Sequence, residues 1–433
     1  MSDFTVLRAD AMLTPGGVVT PAELEFDSGG SITYVGPPRA DSSVTHDLAG
    51  HALMPGLVNG HTHSAMTLQR GVSDDDDFMT WLGKVQDVEQ RLTHDDLVAG
   101  LELALLEMIE TGTVAFADMY YWDEELIERV RASGMRVFAG LACSATDHVA
   151  YPTVSPITGA EVLDETERLA AKYREDPLVR VGFAPHAPYT CTPEFLREVR
   201  ERAIASGIPI HTHVSESAAE VAQLTEQYGK TPGEHLDSLE FFDANVHAAH
   251  CVHLTENEIV TFARTGTSVS HNPVSNLKLG NGVAPLPEMI ASGVRLAMGT
   301  DSVASNNSLD LFEELKHATI LHRGARQDAG AVLAPSTLHI ATQGGAEAIG
   351  FPLSGALEVG KFADVIAVDL GVTTFAPLQA TALVSHLVFG ATGRDVAHVF
   401  IGGRHVYADG KHLTLDAAAV RARATEVRAR LTA

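Results

Sequence analysis

The segment Met54–His63 reads MPGLVNGHTH, and its short apolar run Leu57–Gly60 leads directly into two histidines. Seven further apolar or β-branched runs of similar length follow, separated by helical patterns. Because parallel strands are joined by crossover helices, eight such runs predict an α/β fold, a (β/α)8 barrel of the TIM type. The predicted strands are Leu57–Gly60, Thr113–Ala117, Arg136–Leu141, Val179–Phe183, Ile208–His211, Val246–His250, Thr267–Ser270 and Val294–Met298.

Several of the intervening helices have readable ends. Threonine favours the N-cap position, proline the first helical turn and glycine the position after the last turn. The predicted N-caps are Thr93, Thr192, Thr231 and Thr255, and the predicted helix stops are Gly112 and Gly207.

Both ends of the chain lack this alternation of strands and helices, and their patterns predict short strands and turns. Neither end alone has enough strands for a stable sheet, so we expect the two to combine in a small β-sandwich beside the barrel. The predicted domains are residues 1–54 as the N-terminal part of the sandwich, 55–357 as the barrel, and 358–433 as the C-terminal part with a terminal helix from about Asp416.

Composition excludes several classes of protein. The 433 residues are 45% hydrophobic, which excludes disorder as the main state, and no apolar run is long enough to span a membrane. A formal charge of −26 disfavours nucleic acid and anionic lipid as partners. The N-terminus lacks the pattern of an export signal, and Cys143, Cys191 and Cys251 are far apart, so we expect a cytoplasmic protein with reduced thiols. The count of 21 histidines points towards metal or proton chemistry.

Metal-type ligands recur at the predicted strand ends, where barrels of this kind carry their active sites. His61 and His63 alternate along one strand, so their rings point the same way. With His213 and Asp301 they predict a site for one divalent ion, zinc first, with water completing the shell. Iron or manganese suits the same ligands. The fourth strand segment, VRVGFAPHAPY, has no lysine that could bridge two metals, which favours a single ion.

Two further strand-end residues suit proton transfer. A divalent cation makes hydroxide available near neutral pH. Glu216, three residues beyond His213, is a candidate to carry a proton between that water and the leaving side of a substrate. His250 is either another ligand or, as we predict, a donor that orients the hydroxide or binds the product oxygen.

The remaining histidines receive more ordinary interpretations. For His271, at the end of the seventh strand, a site role and barrel packing both stay open. Four others fall in helical patterns and are predicted to lie at the surface: His94, His235, His317 and His322.

The run Met54–His63 resembles the opening of the barrel in the amidohydrolase superfamily. Other segments are similar to its adenosine-deaminating branch, the methylthioadenosine/S-adenosylhomocysteine deaminases, and together the resemblance covers nearly the whole chain. The H-x-H pattern is shared across the superfamily, whereas the other segments are much more specific to this branch. Those segments are Ser64–Gly71, Gly182–Tyr189, Ala249–Leu254, Ser270–Gly280 and Gly299–Asp310.

This resemblance implies hydrolytic deamination of an adenosine-type nucleoside to its inosine analogue and ammonia. By the same resemblance, Asp301 takes the proton of the attacking water and Glu216 protonates the ring nitrogen. Glu89 would bind the ribose hydroxyls, His186 would contact the substrate, and Ser305 would lie near the group beyond the ribose. The partner is then a small nucleoside, and a homo-oligomer would fit the assembly common in this superfamily.

The sequence departs from this branch after the third predicted strand. An arginine is expected there to meet the carboxylate of a homocysteine tail, but residues 138–159 contain none. A buried carboxylate without a cation is costly, so we expect a neutral 5′ substituent unless an arginine arrives from another segment or subunit. Adenosine, 5′-deoxyadenosine and 5′-methylthioadenosine are therefore favoured over S-adenosylhomocysteine.

Two other functions remain alternatives. An amidohydrolase could act on a different ring amine, such as guanine, a pterin or an s-triazine. A barrel that has lost catalysis could serve as a binding module, but such a protein should also have lost metal ligands or the proton carrier. All of these residues are present here.

Overall fold

A computed structural model describes residues 4–76 and 78–432, so residues 1–3 and 433 of the predicted outer domains lie outside it. The strands are β1 Phe4–Thr14, β2 Gly17–Val19, β3 Ala22–Asp27, β4 Ile32–Gly36, β5 His46–Pro55, β6 Leu57–Thr62, β7 Thr113–Tyr120, β8 Arg136–Cys143, β9 Val179–Pro185, β10 Ile210–Val214, β11 Val246–His250, β12 Ser268–His271, β13 Arg295–Met298, β14 Val365–Asp369, β15 Val396–Ile401, β16 Arg404–Ala408 and β17 Lys411–His412. The α-helices are α1 Phe78–Glu89, α2 His94–Glu110, α3 Glu124–Ser133, α4 Gly159–Lys172, α5 Pro193–Ser206, α6 Ala218–Tyr228, α7 Pro232–Ser238, α8 Glu256–Thr265, α9 Pro273–Lys278, α10 Leu286–Ala291, α11 Leu311–Arg326, α12 Ala334–Ile340, α13 Gln343–Ala348, α14 Leu383–Phe389 and α15 Ala417–Thr432. Short 3-10 helices cover Ser64–Gln69, Phe241–Asp243, Thr373–Phe375, Ala380–Ala382 and Gly393–Asp395.

The eight strands β6–β13 form a closed parallel barrel in chain order, which confirms the predicted fold. Met298 of β13 pairs with Asn59 of β6 and closes the cylinder. The fifth barrel strand starts at Ile210, later than predicted, because Pro209 has no N–H to contribute to the ladder. It continues to Val214, so the candidate ligand His213 lies on the strand itself.

The predicted helix starts are confirmed. Thr192 caps α5 by accepting a hydrogen bond from the backbone N–H of Phe195, and Gly207 ends that helix in the left-handed conformation (φ 73°). The helix after Thr93 ends at Glu110, two residues before the predicted stop at Gly112. Capping boxes begin α2, α7 and α8 at Thr93, Thr231 and Thr255.

Strands from both ends of the chain form one mixed sheet beside the barrel, as the sequence predicts. Its order is β17-β16-β15-β14-β5-β1-β3-β4, with β2 paired to β1. The rings of Phe26 on β3 and Phe400 on β15 lie 6.3 Å apart although three strands separate β3 from β15 in that order. The sheet therefore curls around its own apolar core. The two faces of the expected sandwich are parts of this one continuous sheet.

A buried ion pair joins this sheet to the barrel. Arg136, at the start of β8, donates from Nε and Nη2 to the two carboxylate oxygens of Asp364 (2.8 and 3.0 Å), and both side chains are at most 1% exposed. The same carboxylate accepts hydrogen bonds from Ser354 Oγ and the Gly402 backbone N–H. Full pairing of this kind is what permits two charges to be buried.

Asp364→Ala is expected to lower the free energy of unfolding by about 3–5 kcal/mol, because it leaves the Arg136 guanidinium buried without its carboxylate. Asp164→Ala is the matched control, since Asp164 pairs with Arg202 at the surface and is 70% exposed. It should cost less than about 1 kcal/mol. Urea unfolding of both variants measures the difference in the free energy of unfolding. Equal losses in the two variants would contradict the stabilising role assigned to the Arg136–Asp364 ion pair.

Two helix histidines predicted to lie at the surface are buried, so that prediction was wrong for them. His322 on α11 meets His271 of β12, with their Nε2 atoms 3.1 Å apart. His235 on α7 stacks on Tyr228, with ring centroids 4.2 Å apart. The His322 contact also assigns His271 to packing between barrel and helix. In the described ranges, every helix is too short or too polar to cross a lipid bilayer.

Candidate active site

Side chains from β6, β10, β11 and the loop after β13 converge at the C-terminal rim of the barrel. One group combines His61, His63 and Asp301, and a second combines His61, His213 and His250; within each group the potential ligand atoms lie within 4.8 Å of one another. His61 belongs to both groups. The four predicted metal ligands are thus brought together, and His250 is close enough to keep its alternative role as a ligand.

In each of the three predicted histidine ligands, the ring nitrogen Nδ1 contacts a polar atom of a neighbouring residue. His63 Nδ1 lies 2.6 Å from the Met119 carbonyl and His213 Nδ1 lies 2.7 Å from the His186 carbonyl. Because a carbonyl only accepts, Nδ1 carries a proton in both rings, which leaves Nε2 as the nitrogen available to a metal ion. His61 Nδ1 contacts His211 Nε2 at 2.9 Å.

The Nε2 atoms of these histidines lie in surroundings typical of metal ligands. His61 Nε2 is buried without a hydrogen-bond partner among the described residues, and Asp301 Oδ1 lies 3.5 Å from it and 3.3 Å from His63 Nε2. Burial lowers the pKa of His61 to about 3 and that of His213 well below its usual value, so both rings are neutral. Neutral imidazoles and a carboxylate around an unpartnered nitrogen fit a divalent cation.

Asp301 is oriented by hydroxyl groups behind it. Ser275 Oγ and Ser305 Oγ donate to its Oδ2 at 2.6 and 2.7 Å, which turns Oδ1 towards the histidines. Burial opposes ionisation of Asp301, but contact with His61 and the fields of His250 and His63 outweigh it and hold its pKa well below the ordinary value. Asp301 is therefore a carboxylate.

Backbone strain is concentrated at two of these strand ends. His250 and Asp301 have φ angles of 71° and 59°, in the left-handed region that side chains other than glycine rarely adopt. Such conformations persist where the surrounding structure holds them and are enriched at active sites. In both residues the strained backbone presents the side chain to the same cavity.

Glu216 and His250 face each other across this cavity. Glu216 Oε1 lies 3.9 Å from His250 Nε2 and accepts a hydrogen bond from Asn281 Nδ2 at 3.1 Å. Burial raises the pKa of Glu216. Burial opposes the charge on His250, but Glu216 and Asp301 outweigh it and raise the pKa of that ring. The backbone of the Glu216 loop is itself held, because the Glu220 carboxylate accepts from the Ser215 and Glu216 N–H groups.

A cavity of about 370 Å³, within the range of small-molecule sites, is lined by His63, His213, Glu216, His250 and Asp301, whereas His61 lies behind its lining. Its outer wall combines apolar and aromatic side chains with the polar Gln86, Ser144 and His148, and none of the described residues that line it is lysine or arginine. A larger cavity of about 810 Å³ lies elsewhere, beside Arg180 and Ile208. The residues grouped above as metal-type ligands do not line it. The residues forming the outer wall of the smaller cavity include Phe78, Trp81, Leu82, Val85 and Tyr151.

The predicted substrate-binding residues divide into two groups. Glu89 and His186 line the cavity, and Glu89 Oε1 accepts a hydrogen bond from Tyr120 at 2.6 Å. Burial raises the pKa of Glu89. Ser305 is instead fully buried behind Asp301 and does not line the cavity, where Ser302 does.

Comparison with known proteins places this barrel in a family. The model of a family described as "Amidohydrolase family" matches residues 52–406. The chain belongs to the amidohydrolase family. This amidohydrolase is 41% identical over 414 residues to a 5-methylthioadenosine/S-adenosylhomocysteine deaminase of Syntrophobacter fumaroxidans, with 92% of each chain covered. It is 39% identical over 414 residues to a 5′-deoxyadenosine deaminase of Methanosarcina barkeri, with 93% of this chain and 92% of that protein covered.

A solved structure is similar along the whole amidohydrolase chain. It is an adenosine deaminase from Xanthomonas campestris with bound zinc, 35% identical, with a TM-score of 0.93 and coverage of 99% of this chain and 98% of that chain. The similarity therefore includes the terminal sheet as well as the barrel.

The amidohydrolase site also contains polar side chains that the sequence did not single out. Their hydrogen bonds orient predicted site residues from positions distant along the chain. Ser275 and Asn276 belong to the Ser270–Gly280 segment, whose resemblance to the deaminases was the one signal pointing to them. The side chains that were missed are His211, Ser275, Asn276 and Asn281, together with Tyr120 beside Glu89.

Proposed function

We propose that this amidohydrolase is a metal-dependent hydrolytic deaminase of adenosine-type nucleosides. One observation carries the proposal: His63, His213, Glu216 and Asp301 line one cavity of small-molecule size, and His61 belongs with His63 and Asp301 to one group of potential metal ligands. The relatives whose names describe deamination of such nucleosides support the substrate class.

The residues that would hold the metal are His61, His63, His213 and Asp301, with zinc as the proposed ion. The zinc in the similar adenosine deaminase structure supports that choice. When bound, the ion supplies Lewis acidity that eases deprotonation of water near neutral pH. The carbonyls of Met119 and His186 keep His63 and His213 in the tautomer that ligation requires.

Two carboxyl groups divide the proton transfers because their pKa values are shifted apart. Asp301, held ionised, accepts the proton of the water that attacks the carbon bearing the exocyclic amine. Glu216, with its raised pKa, donates a proton to the adjacent ring nitrogen. The proton taken by Asp301 then passes to the amine, which leaves as ammonia, while the proton of the added hydroxyl group returns to Glu216 and leaves the carbonyl of the product. His250 steadies the oxygen added at that carbon. Opposite shifts in neighbouring titratable groups are the usual basis for such assignments.

The remaining predicted residues receive roles from their positions. Glu89, which accepts a hydrogen bond from Tyr120, and His186 both line the cavity, which supports our proposal that Glu89 binds the ribose hydroxyls and His186 contacts the substrate. Ser305 was predicted to lie near the group beyond the ribose. Its hydrogen bond to Asp301 supports a role in orienting that carboxylate instead.

The cavity wall favours substrates with a neutral 5′ substituent. A carboxylate buried against apolar side chains without a cation is strongly disfavoured, and the described lining offers no lysine or arginine. We therefore infer that adenosine, 5′-deoxyadenosine and 5′-methylthioadenosine are used in preference to S-adenosylhomocysteine.

Steady-state assay of zinc-loaded protein tests this proposal, since conversion of adenine to hypoxanthine changes the ultraviolet absorbance. We expect kcat/KM for the neutral nucleosides to exceed that for S-adenosylhomocysteine by about tenfold or more, which corresponds to about 1.4 kcal/mol. A preference for S-adenosylhomocysteine would overturn the substituent argument alone. Turnover only of guanine, pterins or triazines would overturn the substrate class, and inactivity with metal bound would favour the binding module.

Ser144→Arg gives a complementary gain-of-function test. Ser144 lines the cavity just after β8 and hydrogen-bonds to His148, so an arginine there would bring a cation to the outer wall. Ser144→Gln is the matched neutral control of similar length. We expect the arginine variant alone to improve kcat/KM for S-adenosylhomocysteine, and equal effects of both substitutions would argue against this wall as the tail site.

A further inference from the structure

A lysine that does not line the cavity joins three of the segments that follow barrel strands. Lys278, the last residue of α9, donates from Nζ to Asp74 Oδ1 at 2.8 Å and to the side-chain oxygen of Asn307. It also lies 3.4 Å from the Ala304 carbonyl oxygen. Asp74 belongs to the segment between β6 and α1, whereas Ala304 and Asn307 belong to the segment between β13 and α11. One ammonium group therefore links the chain after the first, seventh and eighth barrel strands.

This ion pair is more constrained than an ordinary surface pair. The side chain of Lys278 is 19% exposed, although that of Asp74 is 43% exposed. Asn307 reinforces the pair, because its Nδ2 donates to Asp74 Oδ2 at 3.4 Å. The hydrogen bond from Lys278 is the main reason that the pKa of Asp74 is lowered. An isolated exposed pair contributes little, but here three acceptors hold one ammonium group in a single position.

The Ala304 carbonyl also anchors the helix that forms part of the outer wall of the cavity. Trp81 Nε1 on α1 donates to this carbonyl at 3.1 Å, and the Trp81 side chain is buried. Asp74 lies four residues before the start of α1. Lys278 thus holds the helix from two directions, through the segment that leads into it and through the carbonyl that its tryptophan contacts.

Helix α1 supplies much of the cavity wall away from the metal-type ligands. Glu89 is its last residue and accepts the hydrogen bond from Tyr120 at 2.6 Å. Residues three or four apart share one face of a helix, so a shift of α1 would move Glu89 and the apolar wall together. The residues of α1 that line the cavity are Phe78, Trp81, Leu82, Val85, Gln86 and Glu89.

The metal-type ligand Asp301 has anchors that do not involve Lys278. Two serine hydroxyl groups orient its carboxylate. The backbone beside it is held by Asn306, whose Nδ2 donates to the Thr300 carbonyl at 2.8 Å and to the buried Glu314 at 2.6 Å. Loss of the lysine should therefore displace α1 and leave the metal-type ligands in place.

We propose that Lys278 is a positioning residue for substrate binding, which holds α1 and its Glu89 against the ribose of the nucleoside. This inference rests on the proposed function, in which Glu89 binds the ribose hydroxyls. Lys278 does not line the cavity, so its influence passes through Asp74 and through Ala304. Contacts with the ribose are the same in the ground state and the transition state, so weakening them raises KM and leaves kcat almost unchanged.

Kinetics of Lys278→Met test the proposal, since methionine removes the charge and keeps a side chain of similar length. We expect KM for adenosine to rise about fivefold while kcat stays within about twofold and the zinc content is unchanged. Lys84→Met is the matched control, because Lys84 is 48% exposed and pairs with Asp76 of its own segment. The control should keep KM within about twofold of wild type. Equal KM values for wild type and Lys278→Met would overturn the proposal.

The nucleoside 2′,3′-dideoxyadenosine gives a readout that general destabilisation would not change. In wild type its kcat/KM should be about tenfold or more below that of adenosine, because Glu89 is left without its hydroxyl partners. In Lys278→Met this ratio should shrink to about threefold or less, since Glu89 is no longer held at the ribose. An unchanged ratio in the variant would overturn this inference alone. A wild type that does not deaminate adenosine would overturn the proposed function, and one that uses both nucleosides equally would overturn the role of Glu89 and this inference with it.

Fluorescence tests the position of α1 without substrate, so it does not depend on the proposed function. The chain has two tryptophans, Trp81 and Trp122, and both are buried. Acrylamide should quench Lys278→Met more strongly than wild type because displacement of α1 exposes Trp81, whereas Lys84→Met should match wild type. Identical quenching of all three proteins would contradict the attachment of α1 through Lys278.

A second variant covers the case in which Lys278→Met fails to fold, as judged by circular dichroism. Asp74→Asn removes the partner charge at a partly exposed position and keeps the shape of the side chain. We expect it to raise KM for adenosine about threefold with kcat within about twofold. It should also increase the quenching of the tryptophan fluorescence by acrylamide. Unchanged KM and unchanged quenching in this variant would count against the proposal.

Discussion

Asp301→Asn is expected to lower kcat for nucleoside deamination by about 10³-fold or more, because one carboxylate serves two purposes. Its Oδ1 faces the nitrogens of His61 and His63, and the pKa of the group is held low enough for it to accept a proton from water. An amide has nearly the same shape and keeps an oxygen for the Ser275 and Ser305 hydroxyls. The loss would therefore report charge and basicity and not packing.

Metal analysis of the same variant separates the two purposes. Loss of activity together with metal shows that the carboxylate matters as a ligand, and loss with metal retained shows that it matters as a base. Ser305→Ala is the control, since it removes one of the two hydroxyls that orient Oδ2 and should cost only about tenfold. If Asp301→Asn kept more than about 1% of wild-type kcat, Asp301 would not be the base.

The barrel and the metal-type residues could be predicted from sequence because their signals are local. His61 and His63 alternate along one strand, and the ends of parallel barrel strands meet at one rim wherever they fall in the chain. The terminal sheet could be predicted for a similar reason, since neither end had enough strands of its own. The continuous curl of that sheet depends on contacts such as Phe26 with Phe400, for which no local pattern exists.

The residues that orient the site could not be found in this way. Asn281 is 65 positions from the Glu216 carboxyl it contacts, and Ser275 is 26 positions from Asp301. No local pattern marks Asn281, and only the resemblance of the Ser270–Gly280 segment to the deaminases points to Ser275. Similarly, His235 and His322 are polar residues in amphipathic helices, which favours the surface, yet one stacks on Tyr228 and the other meets a barrel histidine. Such partners are supplied by tertiary packing.

The pKa of Asp301 is lowered and that of Glu216 is raised, which explains why one of these nearby acids would accept a proton and the other would donate one. Asp301 is surrounded by histidines and hydroxyl donors that favour its charge. Glu216 receives a single side-chain hydrogen bond, from Asn281, among the described contacts, and burial dominates its titration. A proton taken by one group and a proton given by the other can therefore pass in the same catalytic cycle.

Glu216→Gln is accordingly expected to lower kcat by about 10³-fold while leaving the metal content unchanged, because glutamine keeps the Asn281 contact but cannot give up a proton. Glu220→Gln is the matched control. Glutamine keeps the length of the Glu220 side chain and one acceptor oxygen for the two backbone N–H groups that it contacts. Glu220 supports the Ser215–Glu216 backbone outside the cavity, so the control should lose less than about tenfold.

The pH profile gives this prediction a second, independent readout. Because burial raises the pKa of Glu216, its proton is kept to higher pH than in an ordinary glutamate and is lost as the pH rises through the raised value. Activity that requires the protonated carboxyl must then fall on the alkaline side for wild type and for Glu220→Gln. The residual activity of Glu216→Gln should lack that fall, since no proton remains to be lost at this position. An unchanged alkaline limb in Glu216→Gln would assign the proton donation to a different group.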